Sequence, residues 1–234
     1  MKNVRWYEAN LNASKLKRLA DAMLRDAYRA SRPWGFRLSD RRKERLIGSY
    51  CERVERVDEV TDPFGKVTEY PRVEYRVIEF TLGSEFPAIE LHGPSRSVGD
   101  LFVHLAEYVG YDVLVSPIHA TVASWLGALE KYTSVQVTAL EIAAIAMTTQ
   151  VNGRLWVEGT SDVRSALRDI VGRRSHRIAR ARISWKKDDA DGGCELRELG
   201  RARIVVGRPQ PAVDLLRASL REARDASETA NRSS

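Results

Sequence analysis

Basic side chains alternate with apolar residues along two stretches near the end of the chain. The basic positions are Arg180, Arg182 and Lys186 in the first stretch (residues 177–186) and Arg197, Arg201 and Arg203 in the second (residues 194–206). This alternation predicts half-buried strands whose outer faces are basic. If the two strands pair, six cations share one sheet surface, and such a surface binds the phosphates of a nucleic-acid backbone.

Further basic residues extend this predicted interface. Arg173 and Arg174 precede the first stretch, Arg177 begins it, and the run 41–43 lies far upstream. Because residues 194–206 lack the aromatic side chains on which an RNA-recognition motif stacks bases, we expect backbone contacts with little sequence preference. The complete predicted nucleic-acid-binding set is Arg173, Arg174, Arg177, Arg180, Arg182, Lys186, Arg197, Arg201, Arg203, Arg41, Arg42 and Lys43.

Two features of this interface have an alternative interpretation. In the alternative interpretation of the basic face, Glu195, Glu198 or the acidic middle of the chain neutralises the arginines, and the surface binds no partner. Trp34 and Phe36 either stack on bases or serve as buried hydrophobic anchors.

His176 is a weak candidate for catalysis. It follows Arg174 and precedes Arg177, and these cations disfavour the protonated imidazole. A neutral imidazole beside a bound phosphate can act as a general base. The sequence contains no phosphate-binding loop, dinucleotide turn, metalloprotease helix or nucleophile elbow. We therefore predict no cofactor and no metal, and a binding protein rather than an enzyme.

Cysteine and aspartate patterns give no metal site either. Cys51 and Cys194 are far apart and predict structural thiols. Asp188, Asp189 and Asp191 lack the remaining ligands of a calcium loop, so a solvated turn is expected.

The composition is typical of a globular protein, with 43% hydrophobic and 30% charged residues. No apolar run reaches the roughly 20 residues that span a bilayer, so we expect no membrane partner and a cytoplasmic location. Charge is unevenly distributed: residues 1–45 carry 13 basic and 5 acidic side chains, residues 46–169 carry 10 and 18, and residues 170–234 carry 15 and 9. Basic ends flanking an acidic middle are typical of a protein with a polyanionic partner, or of ends that pack on the middle.

The elements around the basic stretches follow from local signals. Asn152-Gly153 predicts a tight hairpin turn, because both residues tolerate positive φ. Thr160 and Ser161 are predicted to cap a helix that closes at Gly172. With the two basic strands and a final amphipathic helix over residues 213–223, the C-terminal part has the order strand, helix, strand, strand, helix.

Earlier in the chain, a helix is expected from Ser14, followed by two long strands over residues 46–60 and 67–82. A short third strand over residues 87–91 and helices over 97–110 and 119–132 come next. For residues 134–148 a strand is favoured in the first half, although the second half equally suits a buried helix.

These elements predict an α+β fold in which amphipathic helices pack on one side of mainly antiparallel sheet. The predicted division is an N-terminal helix and hairpin region (1–93), an α/β region with the basic βαββα unit (94–225) and a disordered tail (226–234), with one continuous domain as the alternative.

Three functions are compatible with this sequence. The first is a non-enzymatic nucleic-acid-binding protein or accessory subunit. The second is a structural subunit of a protein assembly, with a protein partner or a second copy of the chain on its charged surfaces. The third is a small nuclease or other hydrolase that uses His176.

Overall fold

The computed structural model describes residues 2–93, 98–147, 150–187, 190–205 and 209–232, and for residues 186, 187, 190, 191, 209 and 230–232 it describes the backbone only. The strands are β1 (Lys2–Ala9), β2 (Trp34–Arg42), β3 (Arg45–Thr61), β4 (Val67–Gly83), β5 (Ile89–His92), β6 (Val115–Pro117), β7 (Ser134–Ala146), β8 (Asn152–Glu158), β9 (His176–Lys187), β10 (Ala190–Arg197) and β11 (Arg201–Ile204). The helices are α1 (Ala13–Arg25), α2 (Gly99–Tyr108), α3 (Val122–Leu129), α4 (Arg164–Val171) and α5 (Pro209–Arg232).

The predicted α+β class with antiparallel sheet is confirmed. The chain forms two compact units, which do not coincide with the division expected at residue 93. Unit 1 consists of Met1–Glu8 and Ser116–Ser234, and unit 2 of Ala9–Val115. Among the described helices, none is both long enough and apolar enough to cross a membrane.

Unit 1 is a sheet with helices on one side. Its strands follow the order β8-β7-β9-β10-β11-β1, and each neighbouring pair is antiparallel. Helix α3 packs on α5 and β9, and α5 also packs on β11. Under these helices, Trp125 is fully buried, meets the Trp6 ring edge-on at 5.7 Å and donates its indole N–H to Ser219 Oγ at 3.0 Å. The helix side of the sheet is therefore the core, and the other side is free to carry charge.

Unit 2 combines helices α1 and α2 with the antiparallel order β2-β3-β4-β5. Phe36 is 1% exposed and lies in an aromatic cluster, and Trp34 stacks on His104 with ring centroids 3.8 Å apart. Phe36 is thus a buried anchor rather than a stacking surface. The long hairpin predicted for residues 46–82 is confirmed as β3 and β4, and β7 is a strand along its whole length.

Several local predictions were wrong. Asn152 and Gly153 lie inside the β7–β8 ladder, opposite Ala146 and Ile145, and Gly153 has no positive φ. The tight turn with positive φ lies instead at Leu199 and Gly200, both with φ 62°, and it divides the predicted strand 194–206 into β10 and β11. The C-terminal order is therefore βαβββα.

Helix termini and chain ends also differ from expectation. Asn12 rather than Ser14 caps α1, through a hydrogen bond from Lys15 N to its side chain. Asp162 rather than Thr160 or Ser161 accepts from the backbone N–H of Arg164 at the start of α4. Strand β1 was not predicted, and the predicted disordered tail is helical as far as Arg232. Gly172 closes α4 with φ 61°, as predicted.

Candidate nucleic-acid interface

Four arginines lie side by side across four neighbouring strands of unit 1. Arg5 of β1 pairs in register with Arg201 of β11, Arg201 with Arg197 of β10, and Arg197 with Arg180 of β9. We call these four residues the arginine row. Strands lie about 4.8 Å apart, so the row is about 14 Å long. Like charges directly opposite one another destabilise a sheet, so the row requires anionic partners.

Two carboxylates neutralise one end of the arginine row. The buried Glu195 side chain accepts a hydrogen bond from Arg197 Nε at 2.6 Å, and its other oxygen lies 3.7 Å from Arg180 Nη1. Glu141 of β7 continues the register beyond Arg180 and lies 3.0 Å from Arg180 Nε. Arg201, in the interior of the row, is exposed and makes no ion pair with any residue that the structure describes. An external anion can therefore reach Arg201.

An exposed tryptophan lies beyond the Arg180 end of the arginine row, on the far side of Glu141. Trp156 of β8 pairs in register with Glu141, and 42% of its surface is exposed. The guanidinium carbons of Arg180 and Arg182 lie 5.9 and 5.8 Å from its ring centroid, within the range of cation–π attraction. The indole N–H donates to Glu158, and this hydrogen bond, together with the charge of Arg182, lowers the pKa of that carboxyl. These contacts hold the ring in one orientation on the sheet surface.

An open depression of about 620 Å³ lies beside the arginine row. Register places Arg203 of β11 and Arg182 of β9 on either side of Glu195. Gly193 leaves this part of the surface without a side chain. Hydroxyl and guanidinium groups line the depression, together with the Glu195 carboxylate and the apolar residues Ile183 and Val205. Its lining includes Thr138, Arg182, Ser184, Gly193, Glu195 and Arg203.

The structure brings five of the six strand cations of the prediction onto one face. Arg180, Arg182, Arg197, Arg201 and Arg203 alternate with buried residues such as Ala181, Leu196 and Ala202. The side chain of Lys186 lies outside the described residues. The interpretation in which carboxylates neutralise the surface is correct in part, because Glu195 pairs with Arg197 and Glu158 lies 2.6 Å from Arg182.

The remaining predicted cations are distributed differently. Arg173 and Arg174 are exposed between α4 and β9, and Arg177 lies 3.0 Å from Glu198. The run 41–43 belongs to unit 2, at the turn between β2 and β3. There Arg41 pairs with Asp21 at 2.8 Å, Arg42 pairs with Asp40 at 3.0 Å, and Lys43 is exposed.

His176 is exposed at the start of β9. Its Nδ1 lies 3.0 Å from the carbonyl oxygen of Arg174, and because a carbonyl only accepts, Nδ1 is the donor in this hydrogen bond. No hydrogen bond joins His176 to a carboxylate among the residues that the structure describes. Its role as a base remains a prediction.

Other titratable groups are buried away from this face. In unit 2, His92 Nε2 lies 2.7 Å from buried Glu90, while His92 Nδ1 has no hydrogen-bond partner among the described residues. Cys51 and Cys194 are free and buried, as structural thiols are, and burial raises the pKa of the Cys194 thiol. No group of three metal-binding side chains is found among the described residues, which exclude Asp188, Asp189 and the side chain of Asp191.

Three members of the interface were not predicted from the sequence. Arg5 lies in β1, and only the alternation of Val4, Arg5 and Trp6 marks that strand. Trp156 and Glu141 lie in stretches predicted as strands, but only strand order places them beyond Arg180. No model of a known protein family matches the sequence, and no curated protein is significantly similar to it. The geometry of this face is therefore the observation from which a function can be inferred.

Proposed function

We propose that unit 1 binds single-stranded nucleic acid on the sheet face opposite its helices. The main support is the in-register arginine row, which ends at the exposed ring of Trp156. Guanidinium groups and an aromatic ring on one surface are the two components that single-strand-binding proteins combine.

Electrostatics supports an anionic partner. Three successive arginine pairs face one another, which is unfavourable unless negative charge lies between them. Glu195 and Glu141 supply it only at the Arg180 end. A phosphate seated at Arg201 would neutralise that guanidinium and release condensed counterions, so binding should weaken as salt rises.

Stacking favours a single strand over a duplex. The Trp156 ring is exposed and is held by Arg180, Arg182 and Glu158. An unpaired base can stack on such a ring, whereas the bases of a duplex are already stacked on one another. The depression bounded by Arg182 and Arg203 accepts the next phosphate or base. Contacts of this kind are largely independent of sequence.

The test is fluorescence anisotropy with mixed-sequence single-stranded RNA, single-stranded DNA and duplex DNA at two salt concentrations. The variants are Arg201→Ala and Trp156→Ala, with Arg168→Ala as a control that removes an exposed arginine from helix α4. Arg197 is left intact, because its loss would strand the buried Glu195 charge.

We expect Arg201→Ala to weaken binding several-fold and to reduce the salt slope by about 0.7, as the loss of one phosphate contact on a single strand does. Trp156→Ala should cost about 1–3 kcal/mol, the range for one base stacked on an aromatic ring. Arg168→Ala should bind normally. Equal losses in all three variants, or no binding at low salt, would refute the proposal.

A further inference from the structure

The hairpin formed by β3 and β4 extends beyond the rest of unit 2. Strand β2 pairs with β3 only up to Glu52, and β5 pairs with β4 only at residues 79–82. At Arg53 the backbone N–H still donates to the carbonyl oxygen of Pro33, and from Val54 to Glu74 the two strands pair only with each other in the part of the chain that the structure describes. We call residues 53–76 the arm. Nearly all of its side chains are exposed, and Phe64 at its tip is 96% exposed.

One face of the arm carries an apolar stripe. Cross-strand pairs share a face at every second position, so pairs such as Val57 with Pro71 and Glu55 with Val73 lie on the same side. Tyr75 is 62% exposed, Val57 56% and Val73 45%. An exposed row of this length is unusual on a monomer, and a two-stranded ribbon without a core is marginally stable in water. The stripe is Val57, Val67, Pro71, Val73 and Tyr75 in the arm, continued by Val77 at its base.

The face of the arm opposite the stripe carries two cross-strand ion pairs. Arg56 lies 3.8 Å from Glu74, and Arg72 lies 3.8 Å from Asp58. These pairs mix both signs. Val60 and Tyr70, which are 54% and 55% exposed, also lie on this face, but the stripe carries more exposed apolar side chains. The stripe is therefore the face of the arm that gains most from being covered.

The arm is electrically polarised along its length. The tip half, residues 58–69, contains four acidic side chains and one lysine. The base half, residues 53–57 and 70–76, contains four arginines and two glutamates. An acidic tip and a basic base attract each other when two such arms lie antiparallel.

The stripe face carries part of this polarity. Glu59 and Glu69 lie directly opposite each other near the tip, which is unfavourable in isolation. Arg53 and Tyr75 form a cross-strand pair on the same face nearer the base. Arg53 lies 2.9 Å from Glu55, in an exposed pair that contributes little by itself and leaves the guanidinium open to a second carboxylate.

We propose that the arm docks, stripe to stripe and antiparallel, on the arm of a second copy of this chain. A two-fold axis through the middle of the stripe places the Glu59–Glu69 pair of one arm against the Arg53–Tyr75 pair of the other, twice. The same rotation sets Val57–Pro71 against Glu55–Val73, and Thr61–Val67 against the exposed Val77, whose cross-strand neighbour Cys51 is buried. Acidic tips then meet basic bases, and both stripes are buried.

The contact is small, so the association is weak. Six cross-strand pairs span about 33 Å, and the face is roughly 10 Å wide, which places it below the standard interface of about 800 Å² per partner. Self-association should therefore appear at micromolar concentrations, and rising salt should weaken it because charge complementarity contributes.

The experiment is sedimentation velocity of the full chain from about 1 to 200 μM at low salt, a range that brackets weak association. Arg53→Glu sets a third carboxylate against Glu59 and Glu69, and the double variant Glu59→Lys with Glu69→Lys sets two ammonium groups against Arg53, so each should be monomeric. The triple variant that combines both changes restores opposite charges in an antiparallel dimer and should associate again. It would repel itself in a parallel dimer.

A matched control changes the other face of the arm. Arg72→Glu makes the same charge change as Arg53→Glu, and it faces Arg56 across the hairpin, so the dimer should persist. A wild-type monomer at the highest concentration overturns the proposal and leaves a different protein as the occupant of the stripe. Self-association that survives in Arg53→Glu, or a triple variant that stays monomeric, overturns it as well. Circular dichroism of each variant separates loss of docking from loss of folding.

Discussion

The sheet face of unit 1 that carries the arginine row, here called the arginine face, and the arm of unit 2 are both exposed β surfaces rich in charge. They differ in what packs against the opposite side of the strands. Behind the arginine face is a core that buries Trp6, Trp125 and Leu216 completely. Behind the apolar stripe of the arm is only the exposed opposite face, with its ion pairs and the exposed side chains of Val60 and Tyr70. A supported sheet can tolerate a row of like charges, because packing on its other side stabilises it. An unsupported ribbon must pair its charges and cover its apolar residues.

A substitution in the core beneath the arginine face should lower the free energy of unfolding most. Trp125→Ala deletes a fully buried ring and its hydrogen bond to Ser219, which should lower the free energy of unfolding by about 3–5 kcal/mol. Urea unfolding followed by circular dichroism measures this. Oligonucleotide binding should fall with the folded fraction. A loss below about 1 kcal/mol would mean that the charged face does not depend on this core.

A substitution on the arginine face itself should change the free energy of unfolding and the affinity for a single strand in opposite directions. Glu195→Gln keeps the shape of a buried side chain but removes the charge between Arg180 and Arg197. The free energy of unfolding should fall by about 1–3 kcal/mol, while affinity for a single strand should rise because the row has lost an internal competitor. Thermal melts and anisotropy report the two quantities. Glu158→Gln at the exposed Arg182 pair is the control, and it should change stability by less than about 1 kcal/mol.

A weaker effect concerns acid stability on the helix side of unit 1. Hydrogen bonds from Arg164 lower the pKa of Asp162 to about 2 from an ordinary value of 3.8. Because the folded pKa is the lower one, the stabilisation is present above about pH 4 and is lost as the pH falls towards the folded pKa. Asp162→Asn should cost about 1 kcal/mol at neutral pH, since the pair is partly exposed, and should flatten the acid limb of the stability curve. An unchanged acid limb in the variant would contradict this.

Single substitutions in the arm should matter least for folding. Arg56→Ala removes an exposed ion pair at 3.8 Å, and Phe64→Ser removes an almost fully exposed ring. Each should change the free energy of unfolding at low protein concentration by less than about 0.5 kcal/mol. Urea unfolding measures both. A loss above about 1 kcal/mol in either variant would show that the arm is coupled to a core, and the contrast between the two surfaces would then fail.

The elements with strong periodic signals were predictable, and the site was predictable only in part. Alternation of apolar residues identified β9 and the basic parity of Arg180 and Arg182, because side-chain period in a strand is a local property. The turn at Leu199 and Gly200 was missed, because leucine rarely adopts positive φ and Asn152-Gly153 has the stronger signal. That error did not displace Arg197 or Arg201, since both remain on the outer face.

Residue type and spacing along the chain were enough to identify the strands with a basic face, the long hairpin and the mixture of helices with antiparallel strands. The tertiary structure was needed to show that Arg5, from the first strand, joins the arginines of the last third. It was also needed to place Glu195, Glu141 and Trp156 in register with them. The physical reason is that strand order and register are set by burying the whole core at once, and no local pattern contains that information.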